Sequence, residues 1–385
     1  MSANRIYLDD NASAPLRAAA RDAAANALDA GNPSSVYAEG RDARRIVNEA
    51  REAVATLSGA KTSDIVFTSG ASEANAIVLG GLKLGGKAAT HLLVSAIEHP
   101  SVLWGGRFGA DARATIPVGK DGRIAPQAVA TMLGALPGGA VPLVSVMAAN
   151  NETGVIQPVA EIAEVVHAAG GVLHCDAVQA AGRLDLAKVT ADADLVSLSG
   201  HKMGAPKGVG ALVIRNADVT FAAPHIGGGG QERNRRAGTE NVPGIAGFGA
   251  SAREACDESA RWAEIQGLRE WIEGRLCTIS PTTCILGGDQ PRLPNTICVA
   301  LDGVQAETAV IAFDLAGISI SAGSACSSGK VGPSHVLEAM GLDSGLKKAA
   351  LRVSLTRDTT REEAEAFVAA WEKICAPAGA RRSAA

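Results

Sequence analysis

Aromatic side chains make up only 3% of the 385 residues, so the core must be packed mainly from Ala, Val, Leu and Ile. No run reaches the roughly 18 uninterrupted apolar residues that a membrane helix needs. The chain passes from Met1 through Arg5 straight into Ile6-Tyr7-Leu8, with no apolar leader. Neither sign of charge dominates. The formal net charge of −4 gives no bulk attraction to nucleic acid or to an anionic membrane. The cysteines (Cys175, Cys256, Cys277, Cys284, Cys298, Cys326 and Cys375) are odd in number, scattered, and contain no C-x-x-C. That pattern excludes a disulfide framework and a zinc site, and it makes the reducing cytoplasm the expected compartment. A small molecule or another protein is the expected partner.

What is present fits a globular enzyme: 47% hydrophobic and 20% charged residues, with 44 glycines for turns and close backbone approaches. The length exceeds one ordinary core, so two domains are expected. Short β-branched runs recur at Ile65-Val66-Phe67, Leu92-Leu93-Val94, Leu143-Val144-Ser145-Val146, Val172-Leu173-His174, Leu195-Val196-Ser197-Leu198 and Ala211-Leu212-Val213-Ile214. Helical stretches separate them; residues 159–169 place Ile162, Val165 and Val166 on one side before Gly170-Gly171 stops the helix. This alternation predicts an α/β fold with a mostly parallel sheet, whose ligands sit at the carboxyl ends of the strands. From about Cys256 onward the pattern changes. A helical region over 251–276 precedes strands near Thr296-Ile297-Cys298-Val299 and Ile318-Ser319-Ile320. The last helix opens at Thr360, with Glu363 completing a capping box, and buries Ala364, Phe367, Trp371 and Ile374. A smaller α+β domain is expected there.

Chemistry-bearing residues fall just after the predicted strands. Lys202, in Ser199-Gly200-His201-Lys202, follows one buried strand, and Asp176, in Asp176-Ala177-Val178-Gln179, ends another. A lone lysine in such a loop is ordinarily a solvated charge. A carboxylate at the same sheet edge changes that reading, because pyridoxal phosphate (PLP) chemistry needs both an amine to hold the cofactor and an Asp against the pyridinium nitrogen. Phe67-Thr68-Ser69-Gly70-Ala71-Ser72-Glu73 supplies a strand, a glycine and a helix N-terminus suited to phosphate, although many α/β proteins have such turns. Ile97-Glu98-His99-Pro100 and Asn150-Asn151-Glu152-Thr153-Gly154 follow two further strands. Cys326 lies in Ser321-Ala322-Gly323-Ser324-Ala325-Cys326-Ser327-Ser328-Gly329-Lys330, an unusual setting for a thiol, since free cysteines prefer burial. Cys175 is the contrasting case, a buried and inert thiol, and the other five cysteines read as structural.

Together with Arg236-Ala237-Gly238-Thr239, these motifs resemble, in order and spacing, the cysteine desulfurases of the NifS/IscS type, within the class V aminotransferases. The resemblance runs from Leu8-Asp9-Asp10-Asn11-Ala12 to Leu351-Arg352-Val353-Ser354-Leu355. It implies PLP fold type I, with a large PLP-binding domain over residues 15–252. Residues 1–14 and 253–385 would form the small domain that carries the catalytic cysteine loop. It further implies that Lys202 holds PLP as a Schiff base, Asp176 pairs with the pyridinium nitrogen and Gln179 bonds the phenolic oxygen. His99 would stack on the ring and move protons. Ala71, Ser72, Ser199 and His201 would hold the phosphate, joined by Thr239 from the second subunit of a homodimer. Asn151 would contact cofactor and substrate, and Arg352, with Asn11 nearby, would complete the site for the carboxylate of L-cysteine. Cys326 would be the nucleophile and carry the sulfur to an acceptor such as an Fe–S scaffold protein. Asp10 and Ser13-Ala14 stand where the family commonly has Asn and Thr-Thr. A selenocysteine lyase or another class V aminotransferase shares Lys202 and Asp176 but does not need Cys326. A metal-binding scaffold is the rival from a different class, and the cysteine spacing argues against it.

Overall fold

The computed structural model describes residues 5–103, 106–323 and 334–375. Its main feature is a seven-stranded sheet. The strands are β1 (Ile65–Thr68), β2 (His91–Ser95), β3 (Arg113–Ile116), β4 (Pro142–Ser145), β5 (Val172–Asp176), β6 (Leu195–Ser199) and β7 (Gly210–Ile214), in the spatial order β1-β7-β6-β5-β4-β2-β3. Every pairing from β6 across to β3 is parallel, and β7 alone runs against both of its neighbours. Six of the predicted runs are therefore strands of one mostly parallel sheet.

The strands alternate between two apolar layers, as a period of two requires. Ile65, Phe67, Ala211 and Val213 face one cluster, while Val66, Leu212 and Ile214 face the other. Apolar residues on both faces are what a sheet covered on both sides needs. Because six strands point the same way, their carboxyl ends lie along one edge. There β1 turns through Ser69-Gly70 into helix α1 (Ala71–Leu79), and β2 leads to the short helix α2 (Pro100–Leu103).

One expectation fails between the two halves. The continuous helical reading of 251–276 is interrupted, giving α3 (Val242–Ala255) and α4 (Ser259–Ile279). The two helices serve different cores: Val242, Ile245 and Phe248 pack on the large sheet, while Trp262, Ile265 and Ile272 join a second cluster. The buried Arg17 guanidinium sits at the break, paired with Glu254 at 3.1 Å and with Glu258.

The second cluster is built around an antiparallel sheet of β8 (Thr283–Ile285), β9 (Thr296–Leu301), β10 (Ser321–Ala322) and β11 (Leu351–Ser354), in the order β8-β9-β11-β10. Helix α5 (His335–Ala339) lies beside it, and α6 (Arg361–Ile374) covers it with Phe367 and Trp371, Phe367 stacking on Phe313 of the segment before β10 (centroids 5.4 Å apart). The capping box holds: Thr360 Oγ1 accepts from Glu363 N at 3.3 Å, and Glu363 Oε2 accepts from Thr360 N at 3.0 Å. Leu8 packs in this cluster, and Ile6–Tyr7 pair in parallel with Ile318–Ser319, so the first described residues belong with the smaller sheet. No described helix is long and apolar enough to cross a membrane.

Candidate active site

A cavity of about 540 Å³ opens at the carboxyl edge of the large sheet, with Lys202, Asp176 and His99 on its walls. Lys202 comes from a single 3₁₀ turn, Gly200–Lys202, directly after β6. The turn is followed by Gly204 at φ +82°, where a side chain would meet the Arg17 chain at 2.7 Å. Lys202 Nζ donates to the carbonyl oxygens of Asn11 (2.6 Å) and Ala12 (2.9 Å). His201 Nδ1 lies 3.2 Å from Ser13 Oγ. Burial, with Lys202, Lys207 and Arg183 nearby, pushes its imidazole down to about 4, so the ring is neutral.

Asp176 ends β5 next door. A buried carboxylate needs donors, and it has two: Asn75 Nδ2 at 2.9 Å and the Val178 backbone N–H at 3.1 Å. Gln179, one turn on, donates from Nε2 to the Asn11 carbonyl at 3.1 Å and accepts from Arg183 Nη1 at 3.0 Å. The second Nε2 hydrogen can serve a ligand in the cavity.

The cavity wall opposite is the N-terminus of α1, with Ser69, Gly70, Ala71 and Ser72 lining it beside Ser199 and His201. The first residue of β7 touches this loop backbone to backbone. A Cβ on Gly210 would lie 2.5 Å from the Leu198 oxygen and 2.7 Å from Gly70 Cα. Free N–H groups and the helix dipole suit this wall to a phosphate. Glu73 accepts from Ser69 N at 2.8 Å and pairs with Arg236 Nε at 2.8 Å, tying the Arg236-Ala237-Gly238-Thr239 segment to α1. The chain's own Thr239 lines a separate cavity of about 170 Å³, which shares Ser69 and Gly208 with the main one.

His99 is the N-cap of α2. Its carbonyl accepts from Val102 N at 2.8 Å, its Nδ1 accepts from Ser101 N at 3.1 Å, and Pro100 fills the first helical position, where no N–H is needed. Burial lowers its pKa below the ordinary histidine value, Asp176 opposes that, and Lys202 and His335 reinforce it. The neighbouring Glu98 is completely buried and points away into the protein, where Oε1 accepts from Ser95 Oγ and Met147 N, both at 2.7 Å. Burial and the Asp176 charge push its carboxyl up to about 8.

The expected substrate side is more mixed. Asn151 lines the cavity, and its carbonyl accepts from Arg352 Nη1 and Asn11 Nδ2, both at 3.2 Å. The Asn11 side chain does not reach the cavity. Its other amide hydrogen goes to Thr296 Oγ1 (2.9 Å) and its oxygen accepts from Asn295 (3.2 Å). Arg352 is buried, with Nη2 on Asp9 Oδ1 at 2.8 Å. Cys326 lies outside the described residues. Gly323 before it donates to Ala350 O at 2.9 Å, and Ser334 after it caps α5 and bonds the buried Glu152. Burial pushes Glu152 up to about 7. Cys175 and Cys298 are buried as expected of structural thiols, whereas Cys256 and Cys277 are exposed.

Sequence reasoning missed Asn75, Ser101 and Asp9. Among the described residues no group of three or more His, Cys, Asp and Glu is placed to hold a metal.

The donor set fits PLP: an amine, a hydrogen-bonded carboxylate, a ring histidine and a helix N-terminus converge on one cavity of ligand size. Sheet, cavity and lysine together define a PLP fold type I enzyme. The chain belongs to the class V aminotransferase family, whose model matches residues 6–367. It is 40% identical over 369 residues to a cysteine desulfurase of Cereibacter sphaeroides, covering 93% of this chain and 92% of that protein. Among solved structures it is similar to a NifS-like protein from Rickettsia africae (TM-score 0.85, 31% identity, 96% of this chain and 99% of that one). It is also similar to SspA in complex with cysteine (TM-score 0.73, 28% identity, 93% of this chain and 100% of that one).

Proposed function

We propose that this chain is a PLP-dependent cysteine desulfurase that converts L-cysteine to L-alanine and leaves a persulfide on Cys326. The observation that carries the reading is the convergence of Lys202, Asp176 and His99 on one cavity, in a chain whose relatives are named for this activity. When bound, PLP withdraws electrons from the substrate α-carbon.

The protein's own groups supply the rest. Lys202 Nζ would hold the cofactor and would serve as the base for the substrate α-proton. Asp176 would keep a proton on the pyridine nitrogen. The N–H groups at the start of α1 would anchor the phosphate, with Ser72, Ser199 and the neutral His201. Gln179 orients the ring edge, and Asn151 and Arg352 attract the substrate carboxylate, the planar guanidinium suiting that task. The Cys326 thiolate attacks the substrate sulfur. An S–S bond forms, the substrate Cβ–S bond breaks, and the carbon left with the electron pair takes protons to become alanine. Cysteine plus thiol thus gives alanine plus persulfide, with no external oxidant. The persulfide is the form in which sulfur would pass to an acceptor protein. Residues 15–252 act as the cofactor-binding domain, and residues 1–14 with 253–385 as the domain that presents Cys326. Thr239 of a second subunit would complete the phosphate site of a homodimer.

Cys326→Ser tests the reading. A hydroxyl is a far weaker nucleophile toward sulfur than a thiolate. The variant is expected to keep the yellow colour of bound PLP and to lose alanine formation and the added sulfur seen by mass spectrometry on the Cys326 peptide. Cys175→Ser is expected to keep a near-normal rate per folded molecule. Full alanine production by Cys326→Ser would sink the persulfide mechanism.

A further inference from the structure

His99 and Asp176 are joined by a continuous chain of hydrogen bonds in which every proton can be assigned. Asp176 as a carboxylate only accepts, so the Asn75 side chain must present its amide nitrogen to it; Nδ2 is 2.9 Å from Asp176 Oδ2. The same Nδ2 spends its second hydrogen on Ser101 Oγ at 2.9 Å. The Ser101 hydroxyl, already accepting there, donates onward to His99 Nδ1 at 2.8 Å. Nδ1 also receives the Ser101 backbone N–H at 3.1 Å. An imidazole nitrogen met by two donors carries no hydrogen of its own. Asn75 is fully buried in α1 and has no route to water as a substitute partner.

We propose that Ser101 and Asn75 are positioning residues that lock His99 in the Nε2–H tautomer, so that the ring presents Nε2–H to the cavity as a hydrogen-bond donor. This rests on the desulfurase reading only for the identity of the group that accepts that hydrogen bond. The ring cannot serve as a base at Nε2 until that hydrogen has left. It can take up a proton at Nδ1 only by displacing both Ser101 donors. Among the described residues the charged and titratable groups acting on it are Asp176, Lys202 from the β6 turn and His335 from α5; the last two, with burial, favour the neutral ring against Asp176.

The test is the tautomer itself, read in the wild-type protein carrying ¹⁵N-labelled histidine. Two-bond nitrogen–hydrogen correlations distinguish the two forms, and His99→Gln identifies the signal. The expected result is the Nε2–H pattern for His99. In Ser101→Ala the Nδ1–H form is expected to gain population. Loss of a donor to unprotonated Nδ1 should also raise the pH at which the ring takes up a proton, read from the same nitrogen shifts, by about half a unit. Ser101→Thr, which keeps the hydroxyl, should restore both readouts. An Nδ1–H ring in the wild type, or a Ser101→Ala protein with unaltered tautomer and ring titration, overturns the proposal. Because the tautomer is read without turnover, loss of the desulfurase reading and loss of this network are separate outcomes.

Discussion

Arg183 and Asp10 form an ion pair closed off from water: Nη2 lies 2.6 Å from Oδ2, with the two side chains 1% and 4% exposed. Arg183 also donates to the carbonyl and side-chain oxygens of Gln179, at 2.9 and 3.0 Å, so the pair fixes the loop after β5 to the N-terminal segment. It accounts for Asp10 at a position where the resembled family commonly has Asn.

Breaking one side of this pair should be costly. Burial pushes the Asp10 carboxyl up and Arg183 pulls it back. Arg183→Met leaves the carboxyl buried without its cation, at a cost of about 3–5 kcal/mol near neutral pH. In that variant the folded state must hold a proton on Asp10 that the unfolded chain has lost. Its stability therefore falls as pH rises above about 4, and its deficit against wild type is larger at pH 7.5 than at pH 5. Urea midpoints at the two pH values check this. Asp10→Asn/Arg183→Met should lose less than the single variant, and an equal loss would mean the pair is not coupled.

Glu98 gives a second pH signature. Its carboxyl titrates at about 8 when folded, against 4.5 for the free group. Between those values the folded state binds one proton more than the unfolded state, so stability falls as pH rises through the window and levels off above it. Glu98→Gln keeps an acceptor for Ser95 and Met147 and removes the titration. It is expected to be more stable than wild type at pH 8 by on the order of a few kcal/mol, and nearly equal to it at pH 4.5. Parallel stability curves for the two proteins across that range would contradict the assignment.

Most of the large sheet was legible because its signal is local: a β-branched run buried on both faces reads as a strand wherever it lies. The active-site edge followed from the same strands, since Asp176 and Lys202 come directly after them. The network of Asn75, Ser101 and His99 was not legible, because Asn75 reads only as a polar residue inside a helix. Its partners come from two other strand ends. The one available signal was local: His99-Pro100-Ser101 has the form of a helix N-cap with Pro in the first position. The break between α3 and α4 escaped because Ala255-Cys256-Asp257-Glu258 holds neither Pro nor Gly to stop a helix, and the turn there reflects two separate cores and an arginine from residue 17. The partners of the Asn11 amide were not legible either, since Asn151, Thr296 and Asn295 come from distant parts of the chain.

Asp176→Asn separates an electronic role for this carboxylate from a scaffolding one. Asp176 offers two acceptor oxygens, used by Asn75 and Val178, whereas an amide offers one. One contact must be lost or Asn75 must reverse, so a modest stability loss of about 1 kcal/mol is expected. The larger effect should be chemical. A neutral amide cannot hold a proton on the pyridine nitrogen of PLP, and removal of the substrate α-proton should slow by about 100-fold or more. The cofactor should stay bound, because Lys202 and the N-terminus of α1 are untouched. Alanine production from α-deuterated L-cysteine reads the step directly: the isotope effect should rise in the variant as α-proton removal becomes rate-limiting. A variant with a near-normal rate and an unchanged isotope effect would make Asp176 a structural carboxylate, held by Asn75 for the sake of the fold.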